Sequence, residues 1–308
     1  MPCCAAWTPR SPNSTTPGFE PPTLDPKEIS VIVQHHLPRD LFKGKTVFVT
    51  GGGSGINLGV ASNFAALGAH IAICGRTQDK LDQAAIGLRE LNAHAGAKVL
   101  PVAADVRDPA AVNAAIARTQ DEIGLIDTLV AGAAGNFLCP AEELTPNGFK
   151  TVIDIDLLGS FHASRAAFEH LREKRGSLIF ISAPQAFVPQ AFQLHVGAAK
   201  AGVDQLMRNL AVEWGRYGIR ANSIVPGPIL GTEGLKRLSS PEVDEQAREA
   251  VPLRRYGTVD DIGQAAVFLA SPLAGYVTGT VLLVDGGSSL VGSALWNQTV
   301  ETLPRGKR

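Results

Sequence analysis

A glycine-rich turn between a strand-like run and a helix-like run constrains the fold of this chain more than any other feature. The apolar run Thr46–Thr50 leads directly into Gly51-Gly52-Gly53-Ser54-Gly55-Ile56-Asn57, and a helical pattern begins at Leu58. Glycines allow positive φ angles and let backbone N–H groups approach a pyrophosphate, and the N-terminus of the following helix adds partial positive charge. Such a turn can also serve packing alone, but its place between a first strand and a helix favours a bound nucleotide. The expected nucleotide contacts are Gly51, Gly53, Ser54, Gly55 and Ile56.

Short apolar runs alternate with helix-length segments along most of the chain. The runs are apolar on both faces, as expected for parallel strands covered by helices, and the intervening segments are long enough for crossover helices. This alternation predicts an α/β fold with a single doubly wound, Rossmann-type domain, in which a mostly parallel seven-stranded sheet has helices on both faces. The predicted strands are Thr46–Thr50, Ile71–Cys74, Val99–Val102, Thr128–Ala131, Leu178–Ile181, Asn222–Val225 and Val281–Val284.

The two ends of the chain lack this pattern. Residues 1–26 contain seven prolines and almost no apolar periodicity. Such a segment buries too little surface to offset its ordering entropy, so we predict a disordered tail, with a docking arm on a partner subunit as the alternative. The folded domain is expected to span residues 27–292, and residues 293–308 are predicted to form a second tail.

Composition and charge exclude several classes of function. The 308 residues include 28 Lys and Arg against 29 Asp and Glu, so no basic excess attracts nucleic acid or anionic lipid. No apolar run approaches the ~18 residues that a membrane span needs, so we expect no membrane insertion. The four cysteines have neither zinc-ligand nor disulfide-framework spacing, so no metal site is expected and a reduced compartment fits best. Because neither a secretory signal nor a peroxisomal C-terminal address is recognisable, we expect a cytoplasmic protein.

The end of the second predicted strand bears on the choice of nucleotide. A carboxylate at this point would bind the adenosine ribose and repel a 2′-phosphate, but the chain has Gly75 followed by Arg76. A guanidinium pairs with a phosphate and stacks on adenine, so NADP(H) is favoured over NAD(H), with a solvated surface arginine as the alternative. Asp105, after the third strand, is expected to accept a hydrogen bond from the adenine amino group; its alternative role is to cap the next helix.

From about Lys43 to Leu290 the chain resembles the short-chain dehydrogenase/reductase family. The resemblance depends on Thr50-Gly51…Gly55, Asp105-Val106, Lys200, Pro226-Gly227-Pro228-Ile229 and Val284-Asp285-Gly286-Gly287. Within the family the chain is most similar to 2,4-dienoyl-CoA reductases of the peroxisomal type, through the segments 133–140, 149–156 and 227–235. The resemblance implies a homotetramer. It also implies cofactor contacts from Val106, Lys200, Pro226, Gly227, Ile229 and Thr232.

Three departures from the usual family pattern concern the chemistry. Val196 stands where the catalytic Tyr is usual, Ala183 where the Ser is usual, and Asp156 where an Asn is usual. Neither Val nor Ala can donate a proton or hold an oxyanion, so the ordinary carbonyl mechanism is excluded. Peroxisomal dienoyl-CoA reductases resemble the chain at all three positions and carry an Asp four residues after the Lys, here Asp204.

The resemblance therefore implies NADPH-dependent reduction of a 2,4-dienoyl-CoA to a 3-enoyl-CoA. Lys200 and Asp204 are four residues apart on a predicted helix, Ala198–Trp214, and so share one face. Asp156, Lys200 and a shared water are expected to deliver the proton, and Asp204 is expected to hold Lys200 or the water. A reductase of another enoyl- or ketoacyl thioester and a catalytically inactive NADPH-binding scaffold are the alternatives. His195 is a further candidate acid, although a structural histidine is the commoner case.

The acyl-CoA substrate is expected to meet residues on both sides of this centre. Phe137 is predicted to form a wall against the acyl chain, or else to pack in the core. Arg107 and Arg237 are expected near the CoA phosphates, with ordinary surface arginines as the alternative. Asn136, Gln185 or a water could stabilise the thioester oxygen. The segment near 232–250 is polar and helix-prone and resembles a lid.

Two further departures from the family pattern lie outside the catalytic group. Asn57 stands where the last glycine of the turn is usual, and because Asn tolerates left-handed φ we expect the turn to be kept. Ala131-Gly132 stand where a pair of Asn or Asn-Cys is usual, which concerns sheet-stabilising hydrogen bonds and not the chemistry.

Overall fold

The computed structural model describes residues 37–232, 245 and 248–293. Several predictions are not tested because their residues lie outside the described ranges. They concern the tail 1–26, nearly all of the tail 293–308, Arg237 and most of the lid.

Seven parallel strands form one sheet in the order β3-β2-β1-β4-β5-β6-β7, and this confirms the predicted fold class. Three strands have the predicted bounds, and the others extend by a residue or two at one or both ends. The strands are β1 Thr46–Thr50, β2 His70–Gly75, β3 Val99–Ala103, β4 Thr128–Ala131, β5 Ser177–Ile181, β6 Arg220–Pro226 and β7 Val281–Val284.

Helices cover both faces of the sheet. Alternate residues of β1 point to opposite sides, with Phe48 in one core and Val47 and Val49 in the other. The Phe48 core packs against α3, α5 and α6, and the opposite core packs against α1, α2 and α7. The helices are α1 Gly55–Ala66, α2 Gln78–Asn92, α3 Pro109–Glu122, α4 Pro146–Val152, α5 Gly159–Lys174, α6 Leu194–Trp214 and α7 Val259–Ala270.

The strand order reverses between β1 and β4. The chain moves outward from β1 to β2 and β3 and then returns to pair β4 with the other side of β1, where Thr50 is level with Ala131. In open α/β sheets, ligands bind beyond the carboxyl ends of the strands at such a switch point. The glycine-rich turn after β1 and the loop after β4 therefore meet where a ligand is expected.

One helix start was predicted wrongly. The segment that carries Lys200 was predicted to be helical from Ala198, but α6 begins about one turn earlier, at Leu194. Gln193 precedes it without a side-chain cap, so the usual start signal is missing. The earlier start places Val196, Lys200 and Asp204 at successive i, i+4 positions of one buried helix face.

Two features of the described residues bear on function. No helix within them has both the length and the apolar character that a membrane crossing requires. No group of three or more His, Cys, Asp or Glu side chains among them is placed to hold a metal ion.

Candidate active site

The glycine-rich turn has the geometry of an anion cradle. Gly51 and Gly55 have φ angles of +69° and +58°. A Cβ atom on Gly52 would lie 2.6 Å from a methyl carbon of buried Ile73, so a side chain there would clash with the core beneath the turn. Ser54 precedes α1 but makes no capping hydrogen bond with its side chain, so the first-turn amides of α1 have neither an intrahelical acceptor nor that cap. The chain thus fits the pyrophosphate of a dinucleotide.

The ends of β2 and β3 hold three charged groups close together. Asp105 accepts hydrogen bonds from the Arg107 guanidinium, with Nε at 3.0 Å, and these bonds lower the pKa of Asp105 against the opposing effect of burial. The charge of Arg76, which is exposed just after β2, acts in the same direction. Asp108, not Asp105, caps α3, so the alternative role of Asp105 was wrong. Asp105, the predicted adenine contact, therefore pairs with Arg107, the predicted CoA contact. Val106 between them is buried.

The turn after β6 closes tightly against the end of β7. A Cβ atom on Gly227, which follows Pro226, would lie 2.6 Å from the Asp285 Cα atom, so only glycine fits. Ile229 is buried, and its carbonyl oxygen accepts a hydrogen bond of 2.8 Å from the Thr232 hydroxyl. The predicted cofactor contacts of this segment thus form one compact turn at the carboxyl end of the sheet.

A cavity of about 480 Å³ opens beside this turn, and its lining includes Leu253, Arg255 and Gly286. Asp156, Lys200 and Asp204 are not among its lining residues. The cavity is therefore separate from the three predicted catalytic residues.

A buried ion pair lies at the centre of the predicted catalytic group. Asp156 belongs to a π-helical turn, Ile153–Leu158, between α4 and α5, and π-helical turns are frequent at functional sites. Its Oδ2 atom is 3.2 Å from the Lys200 Nζ atom, and the two side chains are 1% and 7% exposed. Asp156 Oδ1 accepts a 2.7 Å hydrogen bond from the Gly135 amide, and Lys200 Nζ donates a 2.8 Å bond to the Ile181 carbonyl. Each charge thus has a second partner, which a buried pair requires.

Asp204 is buried one helical turn after Lys200, but it does not join this pair. The Lys200 ammonium forms its ion pair with Asp156 and none with Asp204 within the described part of the chain. Asp204 Oδ1 is buried with no hydrogen-bond partner there. Asp204 thus shares the helix face and the burial of Lys200, whereas direct contact with the ammonium is limited to Asp156. The predicted role of Asp204 in holding a water stays a prediction.

Apolar side chains occupy the place of the usual catalytic phenol. Val196 is 3% exposed and lies on α6 one turn before Lys200. Ala183 begins the short turn after β5 and has no hydroxyl group. The apolar cluster around this place consists of Val152, Val196, Ala199, Phe137 and Ile153.

His195 packs against Phe137 in the same region. The ring centroids are 4.3 Å apart, and His195 is fully buried. Desolvation lowers the pKa of His195, while the Phe137 carbonyl and Asp156 oppose that effect. Neither ring nitrogen has a hydrogen-bond partner of good geometry among the described residues. Phe137 is half-buried and Asn136 is exposed, so both can face a ligand.

Two polar groups near the ion pair were not predicted. The Ser182 hydroxyl is buried without a described partner, directly after the carbonyl that accepts from Lys200. Gln193 donates to the Phe137 carbonyl at 3.1 Å and so fixes the predicted acyl wall. No motif marks either residue; only their places next to β5 and at the start of α6 could have indicated them.

Comparison with known proteins agrees with this geometry. The family model described as enoyl-(acyl carrier protein) reductase matches residues 51–289. The peroxisomal 2,4-dienoyl-CoA reductase of Saccharomyces cerevisiae is 48% identical, over 80% of this chain and 85% of its own length. The enzyme of the same name from Rattus norvegicus is 45% identical, over 87% and 92%. A gluconate 5-dehydrogenase from Burkholderia cenocepacia, solved with NADP and tartrate, is 30% identical with a TM-score of 0.74, over 83% and 99%.

The family-model match covers the glycine-rich turn, β2 to β7 and the Asp156–Lys200 pair. The chain is thus an oxidoreductase that binds a nicotinamide dinucleotide. It belongs to the short-chain dehydrogenase/reductase family and resembles the peroxisomal 2,4-dienoyl-CoA reductases within it.

Proposed function

We propose that this protein reduces 2,4-dienoyl-CoA thioesters with NADPH and releases the 3-enoyl-CoA. The observation that carries the proposal is the buried Asp156–Lys200 pair beside a position where Val196 replaces a phenol. Both relatives compared above are named as producers of a (3E)-enoyl-CoA. A dienoyl thioester suits a site without a phenol because its reduction ends with protonation of carbon, not of an alkoxide.

The residues of this chain handle the proton and the developing negative charge. When bound, the reduced nicotinamide supplies a hydride to the δ carbon of the diene. The electron pair then spreads through the diene to the thioester oxygen, and a proton must reach the α carbon. Lys200 and Asp156 hold a water that donates this proton, and Asp204 orients the water through its unpartnered oxygen. General acid assistance of this kind contributes about 10²–10⁴ in rate.

The preference for NADPH rests on the end of β2. Gly75 ends the strand and exposed Arg76 follows, so no carboxylate occupies the position that binds an adenosine ribose. The charge of Arg76 helps to lower the pKa of Asp105, and this proximity to the predicted adenine contact supports the proposal. A 2′-phosphate would pair with this guanidinium.

The acyl-CoA is held by groups on the loop after β4 and by basic side chains. Phe137 lies along the acyl chain, and Asn136 is the first candidate to hold the thioester oxygen. Arg107 can meet a CoA phosphate only by sharing its guanidinium with Asp105. Arg237 and the lid near 232–250 complete the proposed substrate site.

The wider organisation also stays a prediction. We expect a homotetramer, with tails at 1–26 and 293–308 flanking the domain at 27–292. The expected cytoplasmic location contrasts with the yeast and rat relatives, which carry the word peroxisomal in their names.

The test is NADPH oxidation by the purified full-length chain with a 2,4-dienoyl-CoA, followed by NMR of the product. Turnover with a double bond between the β and γ carbons supports the proposal. Faster turnover of a 2-enoyl- or 3-ketoacyl-CoA would assign the second function, reduction of another thioester. NADPH binding without turnover of any of the three would indicate a scaffold.

A further inference from the structure

Asn57 lies in the first turn of α1, where it touches the loop that follows β4. Because Asn tolerates left-handed φ, it was expected to replace the last glycine of the turn without changing the backbone. The structure corrects this interpretation, because the positive φ angles of the turn belong to Gly51 and Gly55, and Asn57 is helical. Its side-chain Nδ2 donates a 2.8 Å hydrogen bond to the Gly132 carbonyl.

Gly132 has no space for a side chain because Asn57 fills it. A Cβ atom on Gly132 would lie 2.0 Å from Asn57 Oδ1 and 2.6 Å from its Cγ, closer than real Cβ contacts come. The φ angle of Gly132 is not in the left-handed region, so its backbone conformation does not require glycine. The Asn57 side chain also limits Gly51, whose Cβ would lie 2.8 Å from Nδ2. The lack of a side chain at 132 is thus complementary to the amide at 57.

The segment that Asn57 holds, residues 132–135, is fastened at both ends. The amides of Gly132 and Ala133 donate to the Thr50 hydroxyl at 3.0 and 3.1 Å. The amide of Gly135 donates to Asp156 Oδ1 at 2.7 Å. We call residues 132–135 the β4 loop. It connects the glycine-rich turn to the carboxylate that pairs with Lys200.

We propose that Asn57 is a positioning residue, which locks the β4 loop onto the glycine-rich turn and so fixes the Gly135 amide that holds Asp156. Gly132 is the obligatory counterpart of Asn57. The role of Asp156 in turnover rests on the proposed function, but the pairing of Asn57 with Gly132 does not. Nucleotide binding and activity are coupled through this contact, because one side chain touches both the turn and the loop.

The test is a double-substitution cycle on the full-length protein. Gly132→Ala alone forces the Asn57 amide out of its slot, so we expect NADPH to bind about tenfold more weakly or worse, since overpacked sites force shifts of this size. Asn57→Gly removes the hydrogen bond but creates no clash, so its effect is smaller. In the double variant Asn57→Gly/Gly132→Ala the alanine methyl group enters the vacated slot, and binding returns to the level of Asn57→Gly or better.

Three readouts separate positioning from general damage. The Kd for NADPH is measured by fluorescence, Tm by thermal unfolding, and kcat and KM with a 2,4-dienoyl-CoA. Asn63→Gly is the matched control, because Asn63 lies on the same helix and its amide bonds Gly59 and Asp260 away from the turn. It should lower Tm and leave Kd unchanged. Gly87→Ala is the control for alanine insertion, since no atom lies within 4 Å of its Cβ position.

The outcomes are decisive in both directions. Recovery of Kd in the double variant relative to Gly132→Ala supports the proposal, and so does a well-folded double variant when Gly132→Ala alone is insoluble. Wild-type binding by Gly132→Ala refutes it, as does a double variant no better than Gly132→Ala. If no dienoyl-CoA is reduced, the proposed function fails, while the Kd values still decide the pairing of Asn57 with Gly132.

Discussion

Replacement of Asp156 by asparagine tests the proposed proton path with the least change in shape. The amide oxygen of Asn can still accept the Gly135 N–H that Asp156 Oδ1 now accepts at 2.7 Å. The amide nitrogen then takes the place of Oδ2, 3.2 Å from the Lys200 ammonium, so two donors face each other. The substitution keeps the β4 loop in place and replaces the charge opposite Lys200 by a neutral donor.

The size of the effect follows from the burial of the pair. With an effective dielectric constant of about 20, two charges 3.2 Å apart attract each other by roughly 5 kcal/mol. Desolvation offsets part of this attraction, and removal of one partner from a buried pair costs about 3–5 kcal/mol. Lys200 retains its bond to the Ile181 carbonyl, which limits the loss. The same loss of charge leaves Lys200 and its water poorly held for proton transfer, so we expect kcat to fall about 10²-fold, or roughly 2.7 kcal/mol, with little change in the Kd for NADPH.

The assay is single-turnover oxidation of pre-bound NADPH after mixing with a 2,4-dienoyl-CoA. Asp154→Asn is the matched control, because Asp154 lies on the same π-helical turn and pairs with the exposed Lys150. The control should react at the wild-type rate. A wild-type rate for Asp156→Asn as well would refute the proton path and assign the acid to another group.

Three further substitutions address the cofactor, the buried histidine and acid stability. Arg76→Ala should remove most of the preference for NADPH over NADH, about ten- to a hundredfold in Kd; equal affinities in the wild type would contradict this. His195→Gln should slow turnover only mildly, and loss of activity with intact NADPH binding would make His195 the proton donor. Hydrogen bonds from Arg255 lower the pKa of Asp261 from 3.8 to about 2, so its stabilising effect is complete above pH 4 and is lost as pH falls towards 2. Asp261→Asn should lower Tm at neutral pH and flatten the fall of Tm over that range; an unchanged profile would contradict it.

The strands could be predicted well because their sequences leave little choice. β1, β4 and β7 have the predicted bounds, since apolar residues end where glycine or polar residues begin. The start of α6 could not be predicted, because Gln193 supplies no cap and Leu194 and Val196 suit a strand or a helix equally. Helix boundaries without caps are decided by packing, which sequence patterns do not show.

The site was predicted as a set of residues, but their contacts were not. The i, i+4 spacing correctly placed Lys200 and Asp204 on one face of a helix. It could not show that the ammonium pairs with Asp156, which a π-helical turn brings to 3.2 Å from a distant part of the chain. A lysine that precedes its acid by four residues is also the weaker orientation for a helical ion pair. The Ile181 carbonyl adds a competing partner.

The unpartnered oxygens around Lys200 favour an enzyme over a scaffold. Asp204 Oδ1 and the Ser182 hydroxyl are buried, and within the described residues neither has a hydrogen-bond partner. Buried acceptors require a donor, which a water or a substrate group can supply. A protein that only bound a nucleotide would gain nothing from them, because apolar replacement of a buried ion pair is often neutral or stabilising. Folding therefore gives little reason to bury two carboxylates and a lysine here, and a role in holding and moving a proton does.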